Sequence, residues 1–237
     1  MSEQPFTNEV ALRIGLAARR LQTIGVADLI EALQMHLGDD LDEENLSKIT
    51  VTNLKSAFRQ SEDVDGDEDR EDFQTADMAA FKDAVRILWG ETSEAEKLPP
   101  LQAYADGDMP GSVRVAVASN SAENIDGHFG SALRYLIYQV SATEIRLVDA
   151  RSALEADLSE DKNAFRVKLI KDCAVLYNVS IGGPASAKVI KADIHLMPVP
   201  DGGVAREVLA KFQEVLAKKP PPWLVKRQAG VRSSVIV

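Results

Sequence analysis

The sequence predicts an α/β domain with a mixed five-stranded sheet, preceded by a small all-α bundle. Hydrophobic periodicity is helical through the first ~90 residues and turns strand-like after residue 112. Between them, "ETSEAEKLPPLQAYADGDMPGS" (91–112) mixes charge, three prolines and glycine, the composition of a linker. Charge divides at the same place. Residues 1–110 hold 10 Lys/Arg and 24 Asp/Glu, a net of −14, whereas residues 111–237 hold 17 and 13, a net of +4. Such asymmetry suggests two units with different partners. The expected division is a bundle over 1–92, a linker over 93–111, an α/β domain over 112–219 and a Pro-rich tail over 220–237.

The bundle reads as five short helices. Thr7 can cap "NEVALRIGLAARRLQ", which places Val10, Ile14, Ala17, Ala18 and Leu21 on one face. "VADLIEALQMHLG" turns Leu29, Ile30, Leu33 and Leu37 inward and stops at Gly38. "DEENLSKI" starts at an acidic cap, and "TNLKSAF" follows Val51. Thr75 can cap "ADMAAFKDAVRILWG", with Met78, Phe81, Val85 and Leu88 at helical spacing. His36, near a helix C-terminus, suits the dipole there and reads as structural. The acidic break "SEDVDGDEDREDF" invites a calcium-loop reading, with Asp63 and Asp65 around Gly66. Ser61, Glu68 and Asp72 stand where a calcium loop needs other residues, so a solvated loop is the better reading.

The second half reads β-β-β-α-β-α-β-α. "VRVAVAS" (113–119), "RYLIYQV" (134–140) and "EIRLVDA" (144–150) form a meander. "EDKNAFRVKLIKDC" is helical. "AVLYNVS" (174–180) is a nearly continuous apolar strand, expected where both faces are covered. "GGPASAKVIKAD" opens a helix with two glycines and proline. "IHLMPVP" is a strand, and "GVAREVLAKFQEVLAKK" a final amphipathic helix. Right-handed crossovers join the parallel strands. Tyr135, Tyr138, Tyr177 and Phe165 read as core, Cys173 as a buried inert thiol, and His195 as a core or rim residue.

In α/β sheets ligands sit beyond the carboxyl ends of parallel strands. Two segments leave such ends: "SNSAENIDGHFGS" and "SIGGPAS". They meet if the first and fourth long strands are adjacent and parallel. Gly182 and Gly183 allow close approach, and the helix N-terminus after them favours an anion. In "NIDGHFGS", His128 lies between Gly127 and Phe129–Gly130, with Asp126 placed to orient the ring. One histidine cannot hold a bare metal ion tightly, but it can cap one position of a preassembled cluster. The residues alone leave a second reading, a loop histidine bonded to backbone, and favour it. Ser119, Ser121 and Ser131 lie near His128 without a Ser/His/Asp framework. One cysteine excludes an internal disulfide and a cysteine cage for a metal within one chain. The acidic half argues against broad nucleic-acid binding. No run of ~18 apolar residues spans a membrane. "MSEQPFTNEV" lacks the pattern of a secretory signal, so a cytoplasmic location is expected.

The combination "VRVAVASN…IDGHFGSALRYLIYQVS…DC…VSIGGPASAKVIKADIH" resembles the dinitrogenase iron–molybdenum cofactor-binding family. The resemblance covers about residues 112–217. The N-terminal helices, "AVRILWG" and the tail "PPPWL" are similar to the two-domain nitrogenase accessory group, which extends it over nearly the whole chain. The resemblance implies a ribonuclease H-like α/β fold behind a sterile-alpha-motif-like bundle. It implies a carrier, not an enzyme, that transiently binds iron–molybdenum cofactor or a precursor. Its implied partners are cofactor-assembly proteins and cofactor-deficient dinitrogenase, the latter docking on residues 1–92 until the cofactor is inserted. It implies His128 as the metal ligand, with Asn124, Asp126, Gly127, Phe129, Gly130, Gly182 and Gly183 around the cofactor. The alternatives are a metal-dependent nuclease, since ribonuclease H-like folds host these, and a ligand-free scaffold. Against the nuclease, "VRVAVAS" carries no carboxylate, and Asp126 and Asp149 form no obvious cluster.

Overall fold

In the computed structural model, the structure describes residues 6–22, 24–61, 73–93, 97–218 and 224. The acidic break considered as a calcium loop and nearly all of the Pro-rich tail lie outside the described residues. The chain divides between Lys97 and Leu98 into a helical and an α/β unit. Among the described residues, no helix is long and apolar enough to cross a membrane.

The helical unit contains α1 (Asn8–Leu21), α2 (Val26–Leu37), α3 (Glu43–Leu46), α4 (Val51–Ser61) and α5 (Phe73–Leu88). Thr7 caps α1 by accepting from the Val10 N–H at 3.2 Å. Asp42 caps α3 the same way from Asn45. Gly38 ends α2 at φ +85°, a conformation that favours glycine. Val10, Ile14, Ala17, Leu21, Leu29, Leu33, Leu46, Ile49, Leu54, Val85 and Leu88 fill the core. Leu37 and Met78 are half-buried at its margin. α5 starts at Phe73, so Thr75 lies inside it and is not its cap. Trp89 Nε1–H donates to the Ile49 carbonyl at 2.9 Å and ties the end of α5 to the turn before α4.

The α/β unit contains β1 (Val113–Ser119), β2 (Asn124–Ile125), β3 (Arg134–Val140), β4 (Ile145–Ser152), α6 (Leu154–Leu158), α7 (Lys162–Leu169), β5 (Val175–Asn178), α8 (Gly183–Lys191), β6 (His195–Pro198), β7 (Gly203–Val204) and α9 (Ala205–Lys218). The mixed sheet has the order β4-β3-β1-β5-β6. β1 pairs antiparallel with β3 and parallel with β5, and β5 parallel with β6. On one face Val115, Val117, Leu136, Tyr138, Val175 and Tyr177 pack with Leu209 and Phe212 of α9. On the other, Ala116, Ala118, Tyr135, Ile137 and Leu176 pack with Ala185 and Val189 of α8. Helices cover both faces, which is why β1, β3 and β5 read as almost unbroken apolar runs.

Four local features depart from the sequence reading. The helix expected over 160–173 is shorter, α7 alone, and a separate short helix not read from the sequence, α6, precedes it; residue 161 begins α7, where the Asp161 carboxylate accepts from the Ala164 N–H at 2.9 Å. On α7, Arg166 is the fully buried residue and Phe165 only half-buried. β2 and β7 form a separate two-stranded ladder, pairing Asn124 with Val204. Their two-residue length gives no periodicity to read. Residues 98–108, assigned to a linker on composition, lie along β4. Leu98 packs on the core, the Gln102 N–H donates to the Leu147 carbonyl at 2.7 Å, and Arg146 donates to the Ala103 carbonyl. This segment covers an edge strand whose backbone groups would otherwise be open.

His195 is exposed on the edge strand β6, a rim residue. Cys173 is buried, and burial, helped by the Asp172 carboxylate, pushes its thiol pKa far up. Beside it, Arg151 grips both Asp172 oxygens, at 2.6 and 2.8 Å, and Arg114 adds a third bond at 3.0 Å. The cluster joins β1, β4 and the turn into β5. Burial raises the Asp172 carboxyl, but the bonds from Arg151 and Arg114 outweigh it and hold the group well below the usual carboxylate range. A depressed folded-state pKa gives stability that is present above the unfolded value of about 3.9 and lost as pH falls below it. Because the Asp172 side chain is 35% exposed, the contribution is screened to about 1–2 kcal/mol. Asp172→Asn is therefore expected to lower stability at pH 7 by about that amount, with a smaller gap to wild type at pH 2 in denaturant titrations. An equal gap at both pH values would remove the ion pairs as its cause.

Candidate functional site

The connection from β1 to β3 is built around Asn120. Its side chain donates to the Asp126 carbonyl at 2.8 Å and accepts from the Leu133 N–H at 3.0 Å, joining the two ends of the loop. Asp126 is consumed in the same frame. One carboxylate oxygen accepts from the Asn120 N–H at 2.6 Å and the other from the Ser121 hydroxyl at 2.5 Å. Asp126 therefore braces the loop and does not orient His128 through a side-chain hydrogen bond. Asn124 lies in the β2–β7 ladder, and its amide reaches Ser121 Oγ at 3.3 Å.

Residues 127–129 thread between the ends of β1 and β5. The Gly127 N–H donates to the Ala118 carbonyl (3.1 Å), the Val179 N–H to the Gly127 carbonyl (3.0 Å), and the Phe129 N–H to the Ser180 carbonyl (2.9 Å). The passage is narrow: a Cβ on Gly127 would stand 2.8 Å from the Ala118 carbonyl carbon and 2.9 Å from Ala132 Cβ. Gly127 thus serves packing rather than space for a ligand. Phe129 is fully buried against Tyr135, with ring centroids 6.0 Å apart, and the Tyr135 hydroxyl holds the Phe129 carbonyl. The Phe129 ring anchors the loop from beneath.

Between these two fixed residues the His128 ring is exposed. Its Nδ1 lies 2.8 Å from Ser180 Oγ. Among the described residues Nε2 has no partner, so the ring is not tied to main-chain groups through both nitrogens. Ser180 leads into Gly182 and Gly183 at the start of α8, so the two glycine-bearing connections meet at His128, as the adjacency of β1 and β5 requires. A Cβ added at Gly130, Gly182 or Gly183 would meet nothing within 4 Å. Those three glycines border open space. The N-terminus of α8 has no side-chain cap, and its first turn carries no acidic residue.

Two guanidinium groups lie beneath the loop. Arg134 donates to the Ala122 carbonyl at 3.1 Å, and Arg166 to the Ala132 carbonyl at 2.8 Å. The Ala132 N–H in turn holds the His128 carbonyl at 2.9 Å. Arg166, linked to the His128 carbonyl through Ala132, and the uncapped N-terminus of α8 favour negative charge at this surface. The sequence reading missed Ser180, Arg134 and Arg166. A usable signal existed for the first. Asn178 and Ser180 are polar interruptions at the carboxyl end of an apolar strand, where ligand sites form. Asn178 is fully buried, and neither side-chain polar atom has a hydrogen-bond partner among the described residues.

The site presents a surface imidazole beside open space bordered by small residues. The family model described as "Dinitrogenase iron-molybdenum cofactor" matches residues 111–215, and its N-terminal counterpart matches residues 6–100. The chain belongs to the dinitrogenase iron–molybdenum cofactor family. It is similar to protein NifY of Azotobacter vinelandii, 36% identical over 228 residues that cover 94% of this chain and 91% of that protein. Protein NifY of Klebsiella pneumoniae is 27% identical over 86% of this chain and 82% of its own length. Protein NifX of Rhodobacter capsulatus is 32% identical, with 52% of this chain covering 80% of that protein.

The glycines should separate by role. Gly127→Ala is expected to destabilise by about 1–3 kcal/mol, because backbone on the far side cannot yield. Gly183→Ala, with open space around it, should change stability by less than about 1 kcal/mol. Thermal denaturation of both variants checks the difference.

Proposed function

We propose that this chain is a nitrogenase maturation accessory protein that binds iron–molybdenum cofactor, or a precursor, through His128 and carries it. The carrying observation is an exposed imidazole, rigidly presented, with Nε2 unpartnered among the described residues. One imidazole is too little for a bare ion, whose sites need several protein ligands, and sufficient to cap one position of a finished cluster. The cluster is cargo: it arrives assembled and leaves. Asn124 and Asp126 set the loop, Gly127 and Phe129 anchor it, and Gly130, Gly182 and Gly183 border the space beside the ring. We read the α/β unit as ribonuclease H-like and the helical unit as sterile-alpha-motif-like.

The helical unit, with most of the acidic excess, is the docking element for cofactor-deficient dinitrogenase, and cofactor-assembly proteins deliver the cargo in the cytoplasm. No catalysis is assigned. The nuclease reading needs converging carboxylates. Instead, Asp126 is bound to Asn120 and Ser121, and Asp149 is paired with Arg151. The family membership favours the carrier over the ligand-free scaffold.

Anaerobic titration with isolated iron–molybdenum cofactor tests the ligand. His128→Ala should weaken binding at least about tenfold, by the scale of losing a coordinating group, while leaving the thermal transition unchanged. Undiminished affinity would remove His128 from the site. Removing residues 1–97 tests the division of labour. Capture of cofactor-deficient dinitrogenase should be lost and cluster binding kept, and full capture by residues 98–237 would overturn it.

A further inference from the structure

We infer that Ser180 is a positioning residue for the cargo site: its hydroxyl accepts from His128 Nδ1–H and so presents the Nε2 lone pair outward. The inference rests on the carrier reading and adds which nitrogen binds and what selects it.

A neutral imidazole carries one proton, on Nδ1 or on Nε2, and only the bare nitrogen can coordinate a metal. In free solution the proton divides between the two. Here Nδ1 is 2.8 Å from Ser180 Oγ. A hydroxyl can accept from Nδ1–H or donate to bare Nδ1. In the first arrangement Nε2 is free to coordinate. In the second Nε2 holds the proton and cannot. Coordination of a metal at Nε2 selects the first, so the Nδ1–H···Oγ bond contributes to the bound state. A partner on the far nitrogen also fixes the ring plane and raises the basicity of the coordinating one. Nδ1 faces the protein and Nε2 has no partner among the described residues. The geometry thus assigns the metal to Nε2.

Ser180 is held independently of its side chain. Its carbonyl accepts from Phe129 N–H, and the adjacent Val179 N–H donates to the Gly127 carbonyl. Those two backbone bonds keep the connection before α8 against the His128 loop whether or not residue 180 has a hydroxyl. Ser180 is itself exposed. Ser180→Ala therefore deletes the acceptor and little else.

The test compares wild type, Ser180→Ala, Ser180→Thr and His128→Ala in the full chain. Ring-nitrogen chemical shifts of 15N-histidine-labelled protein report the tautomer without cargo, and anaerobic titration with isolated iron–molybdenum cofactor reports affinity. Ser180→Ala is expected to move the His128 tautomer ratio and to weaken binding about tenfold, within the range for loss of such partners. Threonine, which restores the hydroxyl, should return both to near the wild-type values. If alanine binds as tightly as wild type while His128→Ala does not, Ser180 has no positioning role and the carrier reading stands. If threonine binds no better than alanine, the hydroxyl is not the agent, and the inference is overturned. If His128→Ala binds as tightly as wild type, the carrier reading itself fails.

Discussion

Three backbone hydrogen bonds hold the site. They run from Gly127 to Ala118, from Val179 to Gly127 and from Phe129 to Ser180. Together they place a three-residue segment between the carboxyl ends of two parallel strands, as though the sheet continued past its last ladder rung. The adjacency of β1 and β5 makes this possible, and the meander β1-β3-β4 on the other side of β1 frees that end for a loop. With Phe129 pinned below and Gly127 wedged against Ala118, His128 has little backbone freedom. A ring presented this way loses little conformational entropy when it takes a ligand. A carrier gains from that economy, because a single donor atom must suffice and must still let go.

The same loop explains the distribution of charge. Both Asp126 carboxylate oxygens accept bonds within the loop, from the Asn120 N–H and the Ser121 hydroxyl. Arg134 and Arg166, both buried, donate to carbonyls under the loop. The ion-pair cluster of Asp172 with Arg151 and Arg114 lies at the amino-terminal side of β5 and joins β1 and β4 to it.

Much of the architecture was legible because period and burial agree. Helices on both faces of the sheet impose continuous apolar strands, and "VRVAVAS" and "AVLYNVS" show them. The helical unit was legible from caps such as Thr7 and from faces such as Val10–Ile14–Leu21. Short or compensated features were not. β2 and β7 have two residues each, and Pro99 and Pro100 suggested a linker where the following residues pair along β4. The α5 start was misplaced because a Thr looks like a cap wherever it stands, even inside a helix. At the site, His128 and its glycines were readable as types at a spacing. Their roles needed geometry: Asp126 turns to the loop, Gly127 to Ala118 and Phe129 to the core, and the ring's partner is Ser180, 52 residues away.

The central claim is that a single imidazole nitrogen bonds the cluster. Only three histidines are present, His36, His128 and His195. Pulsed electron paramagnetic resonance on 15N-histidine-labelled protein, loaded with iron–molybdenum cofactor in a paramagnetic state, reads that bond directly. One 15N coupling to the cluster, absent from His128→Ala, is the expected result; a loaded complex with no such coupling, or one that keeps it without His128, would contradict the claim.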